Sequence, residues 1–545
     1  MCSHFCITGL DKNLSNKLTM GTTKYFGILA ILALVFFTSC TNSVAENQMH
    51  VGMMNNKGKN MGNTQSNLSF FNRSINGLKI AEKTKSATVQ NGQIFQMTAH
   101  PVVKNVSGNL IRMYGYNGQI PGPLIKVKQG STIYVNFTNE LDVETTIHWH
   151  GLRHDFMNDG VVGLSQESVK SEQSFLYKLS FPDAGIFWYH PHLREDLEQE
   201  LGMYGNIIVE PMDENYYNPV AREITLFLDD LLINNGDIAT FDPNKATFTL
   251  MGRFGNVILL DGDTDYALNV SQGESVRFYL TNSANTRIFN FLIEGYKLKL
   301  VGSDMGKYEK EMFVDSIVIS PGERYFFEVL FDREGTYSIQ HQIPQKKYDI
   351  GKINVIKTNT VKEQGINNIR ENPDVKSDID NFRKYFDSEP EYEFELMLSQ
   401  NVMTGMHMAS PDPIEWEDSG QNAIMNSMSD ANNVKWIIKD RKTGKENLDI
   451  KYDVEVGDVK KIRLVNDINS MHPMQHPIHL HGQRFLILSA DGKPNEDLVW
   501  KDTVLVPSGQ TVDLLIDFAN PGKWMMHCHI AEHLEAGMMT VFNVI

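Results

Sequence analysis

The chain has 545 residues, 41% of them hydrophobic and 10% aromatic, which is the composition of an ordinary globular protein of about three or four domains. Its 67 acidic and 50 basic side chains give a formal net charge of −17, so nucleic acid is excluded as a partner because no basic surface is available to neutralise phosphates. A cationic substrate such as a metal ion is compatible with this charge.

The first 40 residues predict an exported protein. Lys24 precedes the apolar run YFGILAILALVFF, which is short for a membrane span and is followed by Thr-Ser-Cys. This pattern resembles a bacterial lipoprotein signal and implies a lipid anchor on Cys40, with the protein in the periplasm or cell envelope. A plain secretory signal is the alternative. Met20 is a candidate for the true start, which would leave Cys528 as the only thiol besides Cys40.

One sequence pattern recurs three times, as VKQGSTIYVNFTN, VSQGESVRFYLTN and VEVGDVKKIRLVN. In each copy an Asn (Asn139, Asn282 or Asn466) lies nine residues after a Gly, and alternating apolar residues predict a half-buried strand after a turn. A second pattern follows as DAGIFWYHPH, REGTYSIQHQ and NPGKWMMHCH. It carries a His-x-His pair in the first and third copies, but Gln340 and Gln342 in the second.

These repeats predict an all-β protein of three homologous Greek-key β-sandwich domains. The predicted domains cover residues 87–212, 213–357 and 391–545, and the middle one lacks metal ligands. Residues 41–86 are polar and aperiodic, which predicts a flexible tether. The charged, Asn-rich residues 358–390 predict a linker.

Four His-x-His pairs indicate a metal cluster. Residues i and i+2 of a strand face the same side, so each pair can present two imidazoles to neighbouring ions. Two pairs come from the first domain and two from the third, which predicts a cluster at the interface between those domains. A single pair would be explained as well by surface histidines, but four at equivalent points of repeated domains would not. The pairs are His148/His150, His190/His192, His479/His481 and His527/His529.

A second metal site is indicated around the cysteine near the C-terminus. Cys528, His476, His533 and Met538 supply two imidazoles, a thiolate and a thioether, which is the ligand set of a blue-copper electron-transfer site. Cys528 lies between two of the cluster histidines in sequence. Electrons can therefore pass from its sulfur into the cluster through a few covalent bonds.

The motifs HWHG, HPH, HPIHLH and HCHIAEHLEAGM resemble those of three-domain multicopper oxidases of the laccase, bacterial copper-oxidase and ferroxidase type. The resemblance extends from about residue 87 to residue 545. It implies three cupredoxin-like domains, four copper ions, and an enzyme that couples four one-electron oxidations of a substrate to the reduction of O₂ to water.

The resemblance also implies how the ligands divide among the coppers. The type 2 copper takes His148 and His479. One type 3 copper takes His150, His190 and His529, and the other takes His192, His481 and His527. The type 1 copper takes His476, Cys528, His533 and Met538, and Cys528 is catalytic as the electron conduit.

Reduction of O₂ requires protons, and Asp159 is the candidate acid. It lies eleven residues after His148, at the position of the family's cluster-side carboxylate, although an Asp that caps the turn before Gly160 is the alternative. Bacterial relatives often carry a second acid directly after the last type 1 histidine. Leu534 occupies that position here, so the second proton path is undetermined.

Methionines before His476 are the best clue to the reducing substrate. Met403, Met406, Met408 and Met474 could deliver Cu(I), because thioethers are soft ligands; this predicts cuprous oxidation in copper tolerance. Laccase-like oxidation of phenols or aromatic amines is the alternative, with these methionines as packing residues. A copper-storage or structural cupredoxin protein is the alternative from another class, but it would not need an intact oxygen-reducing cluster.

Overall fold

The structure is a computed structural model that describes residues 72–241, 246–358, 366, 368–399, 412–417, 434–470 and 472–545. The predicted signal segment, with Met20 and Cys40, lies outside the described residues, and so do Met403, Met406 and Met408. Within the described ranges, no helix is long and apolar enough to cross a membrane.

The described chain is almost entirely β-strand and forms three successive sandwiches. The first contains β1 Ser86–Thr88, β2 Ile94–Val106, β3 Asn109–Tyr116, β4 Leu124–Lys128, β5 Thr132–Asn139, β6 His148–His150, β7 Ser174–Ser180, β8 Gly185–His190 and β9 Gly205–Glu210. The second contains β10 Arg222–Leu231, β11 Ile233–Asn234, β12 Asp237–Ile238, β13 Val257–Leu260, β14 Ala267–Ser271, β15 Glu274–Asn282, β16 Phe289–Ile293, β17 Leu298–Ser303, β18 Gly306–Val314, β19 Ile317–Ile319, β20 Arg324–Phe331, β21 Gly335–Gln342 and β22 Lys347–Ile356. The third contains β23 Tyr392–Leu398, β24 Trp436–Asp440, β25 Tyr452–Val454, β26 Asp458–Asn466, β27 His476–Leu480, β28 Arg484–Ala490, β29 Lys493–Pro494, β30 Thr503–Val506, β31 Thr511–Phe518, β32 Gly522–Cys528 and β33 Met539–Val544.

The three sandwiches share one topology. Each has a sheet in which the first long strand pairs in parallel with the strand that ends in the repeated Asn, namely β2 with β5, β10 with β15 and β23 with β26. The opposite sheets run β1-β4-β9-β8-β6, β14-β22-β21-β16-β19 and β25-β33-β32-β27-β30. The prediction of an all-β protein built from three Greek-key sandwiches is confirmed.

The repeated Asn has a structural role in every sandwich. The side-chain amide of Asn139 donates to the carbonyls of Val143 and Val169, both at 2.8 Å. Asn282 and Asn466 each donate to two backbone carbonyls in the same way. All three side chains are buried. Each therefore provides a hydrogen-bond donor to two backbone carbonyls that would otherwise lack this partner.

The described residues include four short α-helices between the strands, α1 Glu195–Glu198, α2 Ala246–Met251, α3 Pro373–Asp380 and α4 Ala531–Glu535. Helix α3 lies inside the segment predicted as a linker. That segment packs on the third sandwich: Ile379 is buried, the Trp500 indole donates to Asp378 at 2.7 Å, and Phe382 meets the Trp500 ring edge-on. The i, i+3 spacing of Ile379 and Phe382 marks an apolar face that the surrounding charges obscured.

Part of the predicted tether is bound to the folded body. The backbone N–H of Ala81 donates to Val103 at 2.7 Å, and that of Glu82 donates to Gly118 at 2.8 Å. The described part of this segment therefore continues the first sandwich upstream of β1, and composition alone did not indicate these backbone bonds.

Replacing Asn282 with Ala leaves two buried carbonyls and the N–H of Ala284 without partners. Each unsatisfied buried group costs about 1–3 kcal/mol, so we expect about 3 kcal/mol of destabilisation and a lower urea midpoint. Asn269→Ala, at an exposed position of the same sandwich, is the control and should change stability by less than about 0.5 kcal/mol. Equal effects of the two substitutions would contradict the role of the repeated Asn.

Candidate metal centre

The four His-x-His pairs lie at the ends of paired strands. Strand β6 pairs with β8 so that His148 is opposite His190, and β27 pairs with β32 so that His479 is opposite His527. All eight imidazoles are buried, and the most exposed of them, His192, is only 9% accessible. Strand pairing thus brings together the two pairs of the first sandwich and, separately, the two pairs of the third.

The pairs from the two sandwiches stack on each other. The rings of His150 and His479 are parallel within 15° with centroids 3.6 Å apart, and those of His148 and His481 lie 4.0 Å apart. The cluster therefore lies at the interface between the first and third sandwiches, where the sequence placed it.

Backbone carbonyls fix the outward nitrogen of several rings. The Nδ1 of His148 is 2.8 Å from the carbonyl of Asp159, and the Nδ1 of His479 is 2.9 Å from that of Asp502. His190 and His527 make the same contact with the carbonyl of the next residue. A carbonyl only accepts, so Nδ1 carries the proton in each ring and the lone pair of Nε2 is directed inward.

The inward nitrogens fit a bound cation. The Nε2 atoms of His148, His192 and His479, and both ring nitrogens of His529, have no hydrogen-bond partner among the described residues. The Nε2 atoms of His481 and His527 lie 3.0 Å apart. Burial lowers the pKa of His192 to about 3, so its imidazole is neutral and able to bind a metal. Neutral imidazoles suit copper.

Most of the implied ligand sets are brought together. His192, His481 and His527 place one nitrogen each within 4.8 Å of one another, and so do the donor atoms of His476, Cys528 and His533. His150 and His190 form such a group with His148. The ring of His529 lies 5.1 Å from that of His150 and 5.2 Å from that of His190. The type 2 candidates His148 and His479 have ring centroids 5.8 Å apart.

The candidate type 1 site lies in the core of the third sandwich. The Sγ of Cys528 is 3.6 Å from Nδ1 of His476 and 3.7 Å from Nδ1 of His533. Met538 is fully buried, and its carbonyl accepts the N–H of Cys528 at 3.1 Å. Burial lowers the pKa of His476 to about 3 and raises the pKa of the Cys528 thiol. A thiolate therefore needs a cation here, which a copper ion supplies.

Trp436 and helix α2 lie against the imidazoles of the candidate type 1 site. The Trp436 ring lies 4.9 Å from the ring of His476 and 4.2 Å from that of His533, and the Trp436 indole donates to the carbonyl of Thr249 in α2. The Nε2 of His533 is 3.3 Å from the carbonyl of Leu250 in the same helix. A helix of the middle sandwich thus closes this edge of the site.

Asp159 lies at the cluster. Its Oδ2 is 2.9 Å from Nδ1 of His481, and its Oδ1 is 3.3 Å from Nδ1 of His148. Burial alone would raise the pKa of Asp159, but the adjacent imidazoles hold it well below its ordinary value. These contacts favour the cluster-side acid over the turn cap.

Leu534 packs against Val161 and Met525 and offers no proton path.

Sequence reasoning missed three residues at the cluster. The Oδ1 of Asp502 is 3.1 Å from Nε2 of His150, and Arg324 binds Asp502 through both carboxylate oxygens. Burial alone would raise the pKa of Asp502, but the Arg324 guanidinium holds it well below its usual range. The Oε1 of Glu195 lies 3.3 Å from Nδ1 of His192. The spacing of Glu195, three residues after His192, was an available signal; Asp502 and Arg324 lie far from the histidine motifs in sequence.

The middle sandwich keeps the same strand register without the ligands. Leu292 pairs with Gln340 where the third sandwich pairs His479 with His527, and Phe291 pairs with His341 where Ile478 pairs with Cys528. His341 thus occupies the position of the cysteine. Its Nδ1 accepts the N–H of Asn290 at 3.0 Å, so this site is filled by packing and a hydrogen bond.

Met474 has a different environment from the one expected of a substrate ligand. It is 1% exposed and belongs to the hydrophobic core of the third sandwich. This placement favours the packing interpretation of Met474.

Three family models described as multicopper oxidase match residues 99–214, 213–365 and 416–545. A multicopper oxidase of Staphylococcus aureus is 27% identical over 448 residues, which span 80% of this chain and 85% of that protein. The fold resembles that of a multi-copper oxidase of Pseudomonas thermotolerans, with a TM-score of 0.64, 24% identity and coverage of 85% of this chain and 100% of that one. It also resembles a multicopper oxidase of Campylobacter jejuni described as a metallo-oxidase, with a TM-score of 0.63, 22% identity and coverage of 87% and 99%.

Three cupredoxin-type sandwiches with buried sets of imidazole and thiolate donors define a copper-dependent oxidoreductase. The chain belongs to the multicopper oxidase family, whose members use copper cofactors to oxidise a reducing substrate with O₂.

Replacing Asp159 with Asn removes the carboxylate beside His481 and His148. Loss of such an outer partner typically costs about 10- to 100-fold in activity or metal affinity. We therefore expect O₂ consumption to fall by that factor while type 1 reduction by substrate, followed by stopped-flow loss of the blue colour, stays fast. Asp155→Asn, at the exposed cap of the same turn, serves as the control and should leave both rates unchanged. Slowed type 1 reduction in Asp159→Asn would contradict a role confined to the cluster.

Proposed function

We propose that this enzyme oxidises Cu(I) at a type 1 site and reduces O₂ to water at a trinuclear cluster. When bound, the four coppers supply one-electron transfer at type 1 and four-electron reduction of O₂ at the cluster. His476, Cys528, His533 and Met538 would hold the type 1 ion. The cluster would be held by the eight paired histidines, with His148 and His479 at the type 2 ion.

The chain connects the two sites covalently. Successive side chains of a strand alternate in direction, so at the end of β32 Cys528 faces the core of the third sandwich while His527 and His529 face the cluster. The covalent path from the sulfur of Cys528 to the imidazole of His527 or His529 therefore crosses a single peptide bond. This connection supports intramolecular electron transfer.

The covered type 1 site supports a small electron donor. Trp436 and the carbonyl of Leu250 lie against the imidazoles of His476 and His533, so a bulky phenol would have to displace them before touching a ligand. A metal ion needs only a soft binding site nearby. A phenol can still donate electrons through Trp436 without touching a ligand. Because this route is indirect, we expect phenol turnover to be slower than Cu(I) turnover.

Glu415, which follows the methionine-rich segment in sequence, contacts the residue that precedes His476. The N–H of Glu415 donates to the side chain of Gln475 at 2.8 Å, and Gln475 directly precedes His476. Met408 is seven residues before Glu415 in sequence. Met403, Met406 and Met408 thus precede, by seven to twelve residues in sequence, a residue that contacts the neighbour of a type 1 ligand. This sequence proximity and the soft thioether donors support Cu(I) as the substrate.

The substrate proposal is tested with a Met403/Met406/Met408→Leu variant of the copper-loaded chain. Because Leu keeps the volume but removes the soft ligands, we expect O₂ consumption with Cu(I) to fall at least about tenfold, or ~1.4 kcal/mol in the barrier, while turnover of a phenol is kept. Met212→Leu, at an exposed methionine of the first sandwich, controls for general thioether loss. Unchanged Cu(I) turnover would make phenol oxidation the better interpretation.

A Cys528→Ser variant tests whether the two metal sites are separate and joined. Serine is a poor ligand for this site, so we expect loss of the blue absorption and of one bound copper, and O₂ consumption at background with any donor. The cluster coppers should remain, since their ligands are untouched. A protein that bound copper variably, without a blue band in the unmutated chain, would be a storage protein and would contradict the oxidase proposal.

A further inference from the structure

The middle sandwich, in which other residues replace the ligands, reaches the cluster through the turn between β19 and β20. Gly322 in this turn has φ +86°, and a Cβ added to it would lie 2.8 Å from Cδ2 of His529 and 3.2 Å from Cε1 of His150. The backbone of the middle sandwich is therefore packed against two predicted type 3 ligands. No side chain larger than hydrogen fits at this contact without moving a ring.

Arg324, two residues later, joins all three sandwiches at one point. Its Nε donates to the carbonyl of Ile186 in the first sandwich at 3.1 Å, and its Nη1 donates to the carbonyl of Gly322 at 3.1 Å. Its two terminal nitrogens bind the carboxylate of Asp502 in the third sandwich at 2.6 and 2.5 Å. The guanidinium is fully buried, and so is the carboxylate. A bidentate pair of this kind fixes the orientation of both planes.

Asp502 passes this orientation to cluster ligands on two sides. Its Oδ1 accepts from Nε2 of His150 at 3.1 Å, which leaves Nδ1 of His150 directed toward Nε2 of His190. Its backbone carbonyl is 2.9 Å from Nδ1 of His479. The hydroxyl of Thr503 donates to the same Oδ1 at 2.8 Å. Asp502 thus contacts a predicted type 3 ligand through its carboxylate and a predicted type 2 ligand through its backbone carbonyl.

The glycine of the HWHG motif makes room for this pair. Gly151 has φ +84°, and an added Cβ would lie 2.4 Å from Oδ2 of Asp502 and 2.7 Å from Nη2 of Arg324. The residue after His150 must therefore be glycine for two reasons, its left-handed backbone and the ion pair beside it. The first sandwich is shaped to accept the guanidinium.

We propose that Arg324 is a positioning residue for the copper cluster, so that the middle sandwich completes a site whose ligands all come from its neighbours. Through Asp502 it holds His150 and His479 with the correct nitrogen inward. This role of Arg324 rests on the ligand set of the proposed function. Arg324 itself lies outside all four histidine motifs.

The test compares Arg324→Gln with Arg277→Gln in the full chain. Arg277 is also a buried arginine of the middle sandwich and pairs with Glu328 at 2.5 Å and Glu223 at 2.9 Å. Both variants therefore remove a buried arginine that has two carboxylate partners, but only Arg324 has one in the third sandwich. We expect Arg324→Gln to bind cluster copper about 10- to 100-fold more weakly and to show an altered type 2 EPR hyperfine pattern, with the blue type 1 band intact. Arg277→Gln should keep full copper content and an unaltered EPR spectrum.

Arg324→Lys and an Asp502→Asn/Arg324→Gln double variant keep the test informative if Arg324→Gln folds poorly. Lysine keeps the charge but not the bidentate geometry, so it should retain the fold and still shift the type 2 spectrum. The double variant should lose no more cluster copper than Asp502→Asn alone. Full copper content and an unshifted type 2 EPR spectrum in both Arg324→Gln and Arg324→Lys would overturn the inference. Failure of the unmutated chain to bind a cluster at all would instead overturn the proposed function.

Discussion

The metal centre depends on one constraint, the alternation of side chains at the end of β32. Because neighbours on a strand point to opposite faces, Cys528 enters the core of the third sandwich while His527 and His529 enter the interface with the first. A helix could not place three consecutive residues in two separate sites in this way. The spacing between the sites is therefore a property of the backbone, and it does not depend on how either set of ligands packs.

Burial then determines what these ligands can bind. Burial disfavours a protonated, charged imidazole. The backbone carbonyls of Asp159 and Asp502 accept from the protonated nitrogens of His148 and His479. The remaining lone pairs converge, with the Nε2 atoms of His481 and His527 at 3.0 Å. Without a cation this arrangement leaves buried polar atoms unsatisfied. The fold thus maintains an interface whose converging ring nitrogens fit a bound cation.

Those parts of the fold and site that arise from local pattern could be predicted from the sequence. Strand alternation and the repeated Asn fix the three sandwiches, and the His-x-His spacing fixes four pairs of ligands. The environment of Met474 and the partners of Asp502 depend on contacts between segments far apart in sequence, which no spacing encodes. The helix of residues 373–380 was missed for a related reason, since its short apolar face becomes visible only against Trp500.

The middle sandwich explains why long-range contacts matter for a site with such recognisable motifs. Its strands repeat the register of the third sandwich, yet Leu292, Gln340 and His341 stand where ligands would be. The turns and helices of the middle sandwich instead contact the histidines that the neighbouring sandwiches supply. The Leu250 carbonyl of helix α2 lies against His533, a proposed type 1 ligand, and Gly322 packs against His529 and His150, two proposed type 3 ligands. A buried guanidinium is stable only where a carboxylate and carbonyls surround it, and at Arg324 these come from all three sandwiches. That requirement links the docking of the three domains to the geometry of the cluster. A chain that had the ligand motifs but lacked the contacts of Arg324 with Asp502 would have the imidazoles without the groups that orient them.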